Sequence, residues 1–218
     1  VQSSGPQAAI TESYFEHRQM FGSNWVELWS KSPNPFLTAV LPITEGVGVE
    51  LADISFNSNS SHLGEIAMNI LFRKRRAALR LSLESATFMA DNPNWEEASQ
   101  LVELFEELSG KIRLVAERVP KSQECSLTFH LAPGPYDFGK VTRQLVREEI
   151  LGAGDFYGVT RHRADSAITV DKSAKCPGGI FVRLQRNFPG EAQFPHIAMA
   201  LLEDEKEALH LLGIYEIP

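Results

Sequence analysis

Cysteine is scarce in this sequence: Cys125 and Cys176 stand alone in 218 residues. Two thiols staple little of so long a chain, which excludes a disulfide scaffold, and their separation is not a metal-binding spacing. Long apolar runs are missing as well, since none approaches the ~18 residues of a membrane span. Catalytic signatures are equally sparse. The six histidines form no H-E-x-x-H, no H-x-H and no Cys/His cluster, so nothing predicts zinc. No G-x-x-x-x-G-K-[ST] or G-x-G-x-x-G is present to cradle a phosphate, and no G-x-S-x-G to present a nucleophile. The expectation is a chain with no cofactor and no metal, in which catalysis is not the first reading.

What is present is apolar content in ordered patterns. With 43% apolar residues and a net charge of only −7, the chain is built to bury a core, and disorder is excluded as its dominant state. The opening VQSSGPQ has neither a basic nor an apolar signal region and predicts a disordered tail over 1–10. Together with two cysteines read as reduced thiols this points to a cytoplasmic protein; the sequon at Asn59 is read as coincidence.

Residues 11–30 place Tyr14, Phe15, Phe21, Trp25 and Trp29 at near-helical intervals, predicting a helix capped by Thr11 or Ser13. Core packing is the expected role of Phe21, Trp25 and Trp29. Pro33 and Pro35 are read as stops, 36–41 as a short strand, and 47–56 as a strand with a bulge at Ala52-Asp53. Alternation is clean from Ile66 to Phe72 and from Leu79 to Leu83, so 65–84 reads as a hairpin with the basic tip Arg73–Arg76. Asn94 and Glu97 make a capping-box pattern before an apolar stripe that runs to Gly110. A second hairpin is expected across 111–131, then a helix at 137–151 and strands near 156–163, 166–171 and 179–186. A final helix opens at Pro195 and runs to about Gly213, and 214–217 suits an edge strand.

This order predicts an α+β fold: antiparallel sheets with helices packed on one face, in two topologically similar halves at 11–120 and 121–218. The similarity raises an internal duplication at the level of topology only. No Pro/Ser linker separates the halves, so one continuous body is expected.

Charge is unevenly spread. Residues 72–84 carry Arg73, Lys74, Arg75, Arg76 and Arg80 against Glu84 alone. A second cationic stretch runs from Arg161 and Arg163 through Lys172, Lys175 and Arg183 to Arg186, against Asp165 and Asp171. Much of the compensating negative charge lies on the two long helices. Arg73, Lys74, Arg75, Arg76, Arg80, Arg161 and Arg163 are therefore the candidate binding residues for an anionic partner. The competing reading is that such cations guard strand edges against aggregation.

The leading expectation for function is a non-catalytic interaction or scaffold module holding a protein partner, in a hetero- or homo-oligomer and away from membranes. Its contact surface would be the basic strand face or the aromatic N-terminal segment. Two alternatives stay open: a binder of a small anionic ligand or nucleic acid in a groove between the halves, or an enzyme using His130 or His162 there. Cys176 has no base within its own stretch of sequence, so a nucleophilic role is not expected.

Overall fold

The computed structural model describes residues 9–22, 25–29, 31, 33–57, 66–93, 95–133 and 158–212. The strands are β1 (Ile10–Met20), β2 (Ile54–Asn57), β3 (Ala67–Phe72), β4 (Ala77–Ser82), β5 (Ser85–Asp91), β6 (Ser122–Leu131), β7 (Gly158–His162), β8 (Ser166–Lys172) and β9 (Ile180–Pro189). The helices are α1 (Val26–Trp29), α2 (Pro35–Gly46), α3 (Trp95–Ala116) and α4 (Phe194–Leu211). Together they make an α+β fold, with the strands in one nine-stranded antiparallel sheet of order β2-β3-β4-β5-β1-β6-β9-β8-β7. The chain divides into two compact units. The larger comprises Phe15–Cys125 with Asn187–Ala198, the smaller Val1–Tyr14, Ser126–Arg186 and Met199–Pro218.

In the larger unit the core joins the inward faces of β3, β4 and β5 to α2 and α3. Met68 and Ile70 on β3 stand opposite Leu81 and Leu79 on β4, and Phe88, Phe105, Leu108 and Ile112 close over them. Period-two burial on the strands meets period-3.6 burial on the helices, so both patterns feed one core. In the smaller unit Ile168 and Val170 pair with Leu184 and Val182, all four buried.

The hairpin read at 65–84 is there, and so are the three later strands and the final helix. Four segments differ from the sequence reading, each for a local reason. Residues 10–20 form a strand rather than a helix, and the sequence hides it because two of the inward positions of β1 are polar. His17 and Gln19 are buried, which breaks the apolar alternation that would have announced a strand. Residues 35–46 form a helix rather than a strand: the Asn34 side chain accepts from Phe36 N and Leu37 N at 3.0 and 3.2 Å, with Pro35 in the first turn. Phe36, Val40 and Thr44 are its buried stripe. At 51–53 a 3-10 turn replaces the expected bulge. Finally, α3 does not end at Gly110 but runs on to Ala116, so 111–116 is not half of a hairpin. Ile112 and Ala116 continue its buried stripe, whereas Leu114 is 72% exposed. Strand β5 went unread because its polar residues Ser85 and Thr87 mask it. The helix expected at 137–151, the tails at 1–8 and 214–217, and the Asn94–Glu97 cap lie outside the described residues.

The buried polar residues of β1 are held by a network within the larger unit. His17 Nε2 lies 2.8 Å from Gln123 Oε1, which also accepts from Gln19 Nε2 at 3.1 Å. Gln19 Nε2 donates to Ser109 Oγ at 2.8 Å. Gln123 Nε2 in turn donates to the carbonyls of Pro189, Gly190 and Ala192. Since Gln123 Oε1 is an acceptor, His17 carries its proton on Nε2. The imidazole stacks on Phe88 and meets Phe194 edge-on.

Burial pushes the His17 pKa down from 6.5 to about 4; the Gln123 bond opposes this and the Arg113 charge adds to it. Between those two values the unfolded chain takes up a proton that the folded chain refuses. Stability therefore falls as pH drops through that window, by roughly 3 kcal/mol in full. Urea midpoints measured across the window should decline more steeply in the wild type than in His17→Gln. Parallel profiles would refute this assignment.

Candidate interaction surface

The seven candidate cations fall into two groups in different units. In the larger unit, the β3–β4 connection is a 3-10 turn at Arg73–Arg75. It is closed by Arg76 in the left-handed region, with φ 47 and ψ 42 and its N–H bonded to Arg73 O. Arg73 Nε pairs with Asp53 Oδ1. Asp53 also accepts from Glu50 N at 3.1 Å, and this backbone bond and then the Arg73 bond hold its carboxyl below the usual range. Arg75 Nη1 donates to Gln100 Oε1 on α3. Lys74 lies against Gly48, where an added Cβ would stand 3.1 Å from its Nζ. Arg80 is exposed on β4 between Asn69 and Thr87, on the face opposite the core. Among the described residues, no ion pair or hydrogen bond engages the side chains of Lys74, Arg76 or Arg80.

In the smaller unit Arg163, Lys175 and Arg186 pair with its own acids. Arg163 forms a two-pronged pair with Glu207 on α4, with Nη1 at 2.9 Å from Oε2. That pairing raises the Arg163 pKa and lowers that of Glu207. Arg186 reaches Asp204 at 3.3 Å and Asp165 at 3.4 Å. Arg161 is exposed on β7, opposite Ile168, and its charge also helps lower the Glu207 pKa. His162 is exposed and pairs with Ala167.

His130 is the densest alternative centre. Its Nδ1 lies 2.8 Å from Ser173 Oγ, its ring packs against Phe181, and burial and then the Lys175 charge lower its pKa. Ser173 Oγ already accepts from the N–H groups of Lys175 and Cys176 at 3.2 and 2.8 Å. Its proton therefore goes to His130 Nδ1, and its lone pairs are occupied by the turn that they stabilise. Cys176 Sγ sits 3.0 Å from Thr11 Oγ1, and Lys175 pairs with Glu12. Among the described residues, no group of three or more His, Cys, Asp and Glu side chains is placed to hold a metal ion.

The aromatic segment goes mainly to the core. Phe21 and Trp25 are buried against each other, and Trp25 packs on Phe36. Phe15 and Trp29 are half-buried against the same cluster. Sequence reasoning missed the neighbours of the basic tip, namely Leu51 and its partner turn, because only the tertiary structure brings residues 48–53 alongside 73–74.

No protein-family model matches the chain, and no curated protein sequence matches it either. Among the described residues no helix is long and apolar enough to cross a membrane.

Proposed function

We propose that this chain is a non-catalytic interaction module that holds a protein partner through the cationic end of the β3–β4 hairpin, with Lys74, Arg76 and Arg80 as its principal contacts. One observation carries the reading: these three cations lack counter-ions among the described residues, and they stand where no edge needs guarding. Strands β3 and β4 are interior to the sheet, whose edges are β2 and β7. Edge protection therefore accounts for Arg161 on β7 but not for the basic tip. Arg163 is committed to Glu207, so the contact surface is assigned to 73–80 and not to 161–163. We propose in addition that 11–120 and 121–218 are two α+β halves, each closing its strands with a long helix, and that the setting is intracellular, in keeping with the scarcity of cysteine.

The test is quantitative capture from a native lysate by three forms of the chain. Lys74→Glu/Arg76→Glu/Arg80→Glu should fold normally by circular dichroism yet lose the bound protein by about tenfold or more. Arg161→Glu/Arg163→Glu should retain it. A triple variant that keeps its partner overturns the proposal, as does a wild-type chain that captures nothing. A bound fraction released by nuclease would instead support the nucleic-acid reading.

A further inference from the structure

Beside the basic tip lies an apolar side chain that the fold holds out into solvent. Leu51 is 82% exposed, a large apolar exposure for a residue in a braced turn. The 3-10 turn at Leu51–Asp53 is closed by Asp53 N donating to Glu50 O at 2.9 Å. The Asp53 carboxylate ties it again, accepting from Glu50 N and pairing with Arg73. Lys74 lies over Gly48, three residues before Leu51. The turn that carries this leucine is thus tied to Arg73 through Asp53, and the segment before it lies against Lys74. On the sheet face opposite the core, Leu71 is 41% exposed. It pairs with Ala78, which places it diagonally beside Arg80.

We propose that the occupant of this surface is an acidic protein segment carrying a bulky apolar side chain, with its carboxylates on Lys74, Arg76 and Arg80 and its apolar group on Leu51. This rests on the interaction reading above and specifies its partner. Charge complementarity sets the sign, and the leucine sets the rest. A bare phosphate gains nothing from Leu51. A single-stranded nucleic acid needs rings to stack on, but the outward positions of β3, β4 and β5 are Asn69, Leu71, Ala78, Arg80, Thr87 and Met89, and the half-exposed Phe56 on β2 pairs with Met68 on the core side. Phe72 and Phe88 are turned into the core. Adjacent cations and an exposed aliphatic side chain fit an acidic–apolar peptide best.

Fluorescence anisotropy on the full chain tests this with four probes: a labelled peptide of glutamates interspersed with leucine and phenylalanine, the same peptide with serine at the apolar positions, an oligothymidylate of equal charge, and anionic vesicles. The apolar acidic peptide should bind about tenfold more tightly than its serine counterpart, with both weakened by salt. Leu51→Ser, a change at the surface, should remove most of that preference while leaving the serine peptide unaffected. If Leu51→Ser changes nothing, or if the oligothymidylate or vesicles bind as tightly as the apolar peptide, the partner class is wrong. The interaction reading then survives as long as binding still needs Lys74, Arg76 and Arg80. If the triple charge reversal leaves peptide binding intact, or if no peptide binds, both proposals fall.

Discussion

Gly190→Ala should lower stability by about 4 kcal/mol, more than one added methyl group usually costs. A Cβ at Gly190 would stand 1.5 Å from Pro120 O and 2.6 Å from Pro120 C. Both atoms belong to the backbone where the chain enters β6, so no side chain can swing aside to make room. The Gly190 carbonyl is also fixed, accepting from Gln123 Nε2 at 2.9 Å, which limits how far the turn can retreat. For a chain of this size the melting temperature should fall on the order of 10 °C. Gly110→Ala is the matched control. Gly110 lies exposed within α3, where an added Cβ meets nothing within 4 Å. There the substitution should stabilise by about 0.5–1 kcal/mol through helix propensity. Thermal melts of the two variants should move in opposite directions, and a Gly190→Ala melt within a degree or two of wild type would contradict the close approach.

Gln123→Met should be comparably damaging, at roughly 4 kcal/mol, although it exchanges similar volumes. The loss comes from stranded groups rather than from packing. Without the amide, the carbonyls of Pro189, Gly190 and Ala192 lose a shared donor, and His17 Nε2 loses its acceptor. Ala192 keeps one bond from Arg113 Nη2 at 3.3 Å, so the turn between β9 and α4 should loosen without detaching. Denaturant unfolding measures the size of the effect, and amide hydrogen exchange should speed up first at 189–194. Uniform exchange across the chain would instead argue that the network does not anchor this turn.

These two residues also show how far the sequence could be read. Where burial follows residue type the pattern is legible: the β3–β4 hairpin, β8, β9 and α4 all alternate or repeat as their apolar residues say. It failed where polar residues lie inside. His17, Gln19 and Gln123 are buried because they and Ser109 satisfy one another across β1, β6 and α3, a condition that no window of sequence displays. It failed again where a residue is ambiguous on its own. Pro35 alone reads as a stop, yet with Asn34 before it the same proline opens α2, and Gly110 alone reads as the end of a helix that continues nearly two turns beyond it. For the candidate surface, the cations were visible in the sequence but their standing was not. Only the ion pair to Glu207 separates Arg163 from Lys74, and only the strand order separates a guarded edge from an interior turn.

The left-handed backbone at Arg76 gives the tip one more property. A glycine would adopt φ 47 with less strain, so at this position the fold and the charge make opposite demands. Arg73 is the reverse case, because the guanidinium that faces the surface also ties down the Leu51–Asp53 turn through Asp53. Arg76→Gly would leave a sounder but emptier scaffold, whereas loss of the guanidinium at 73 would weaken the scaffold and its surface together. Two cations in one turn thus allow structural integrity and recognition to be varied independently.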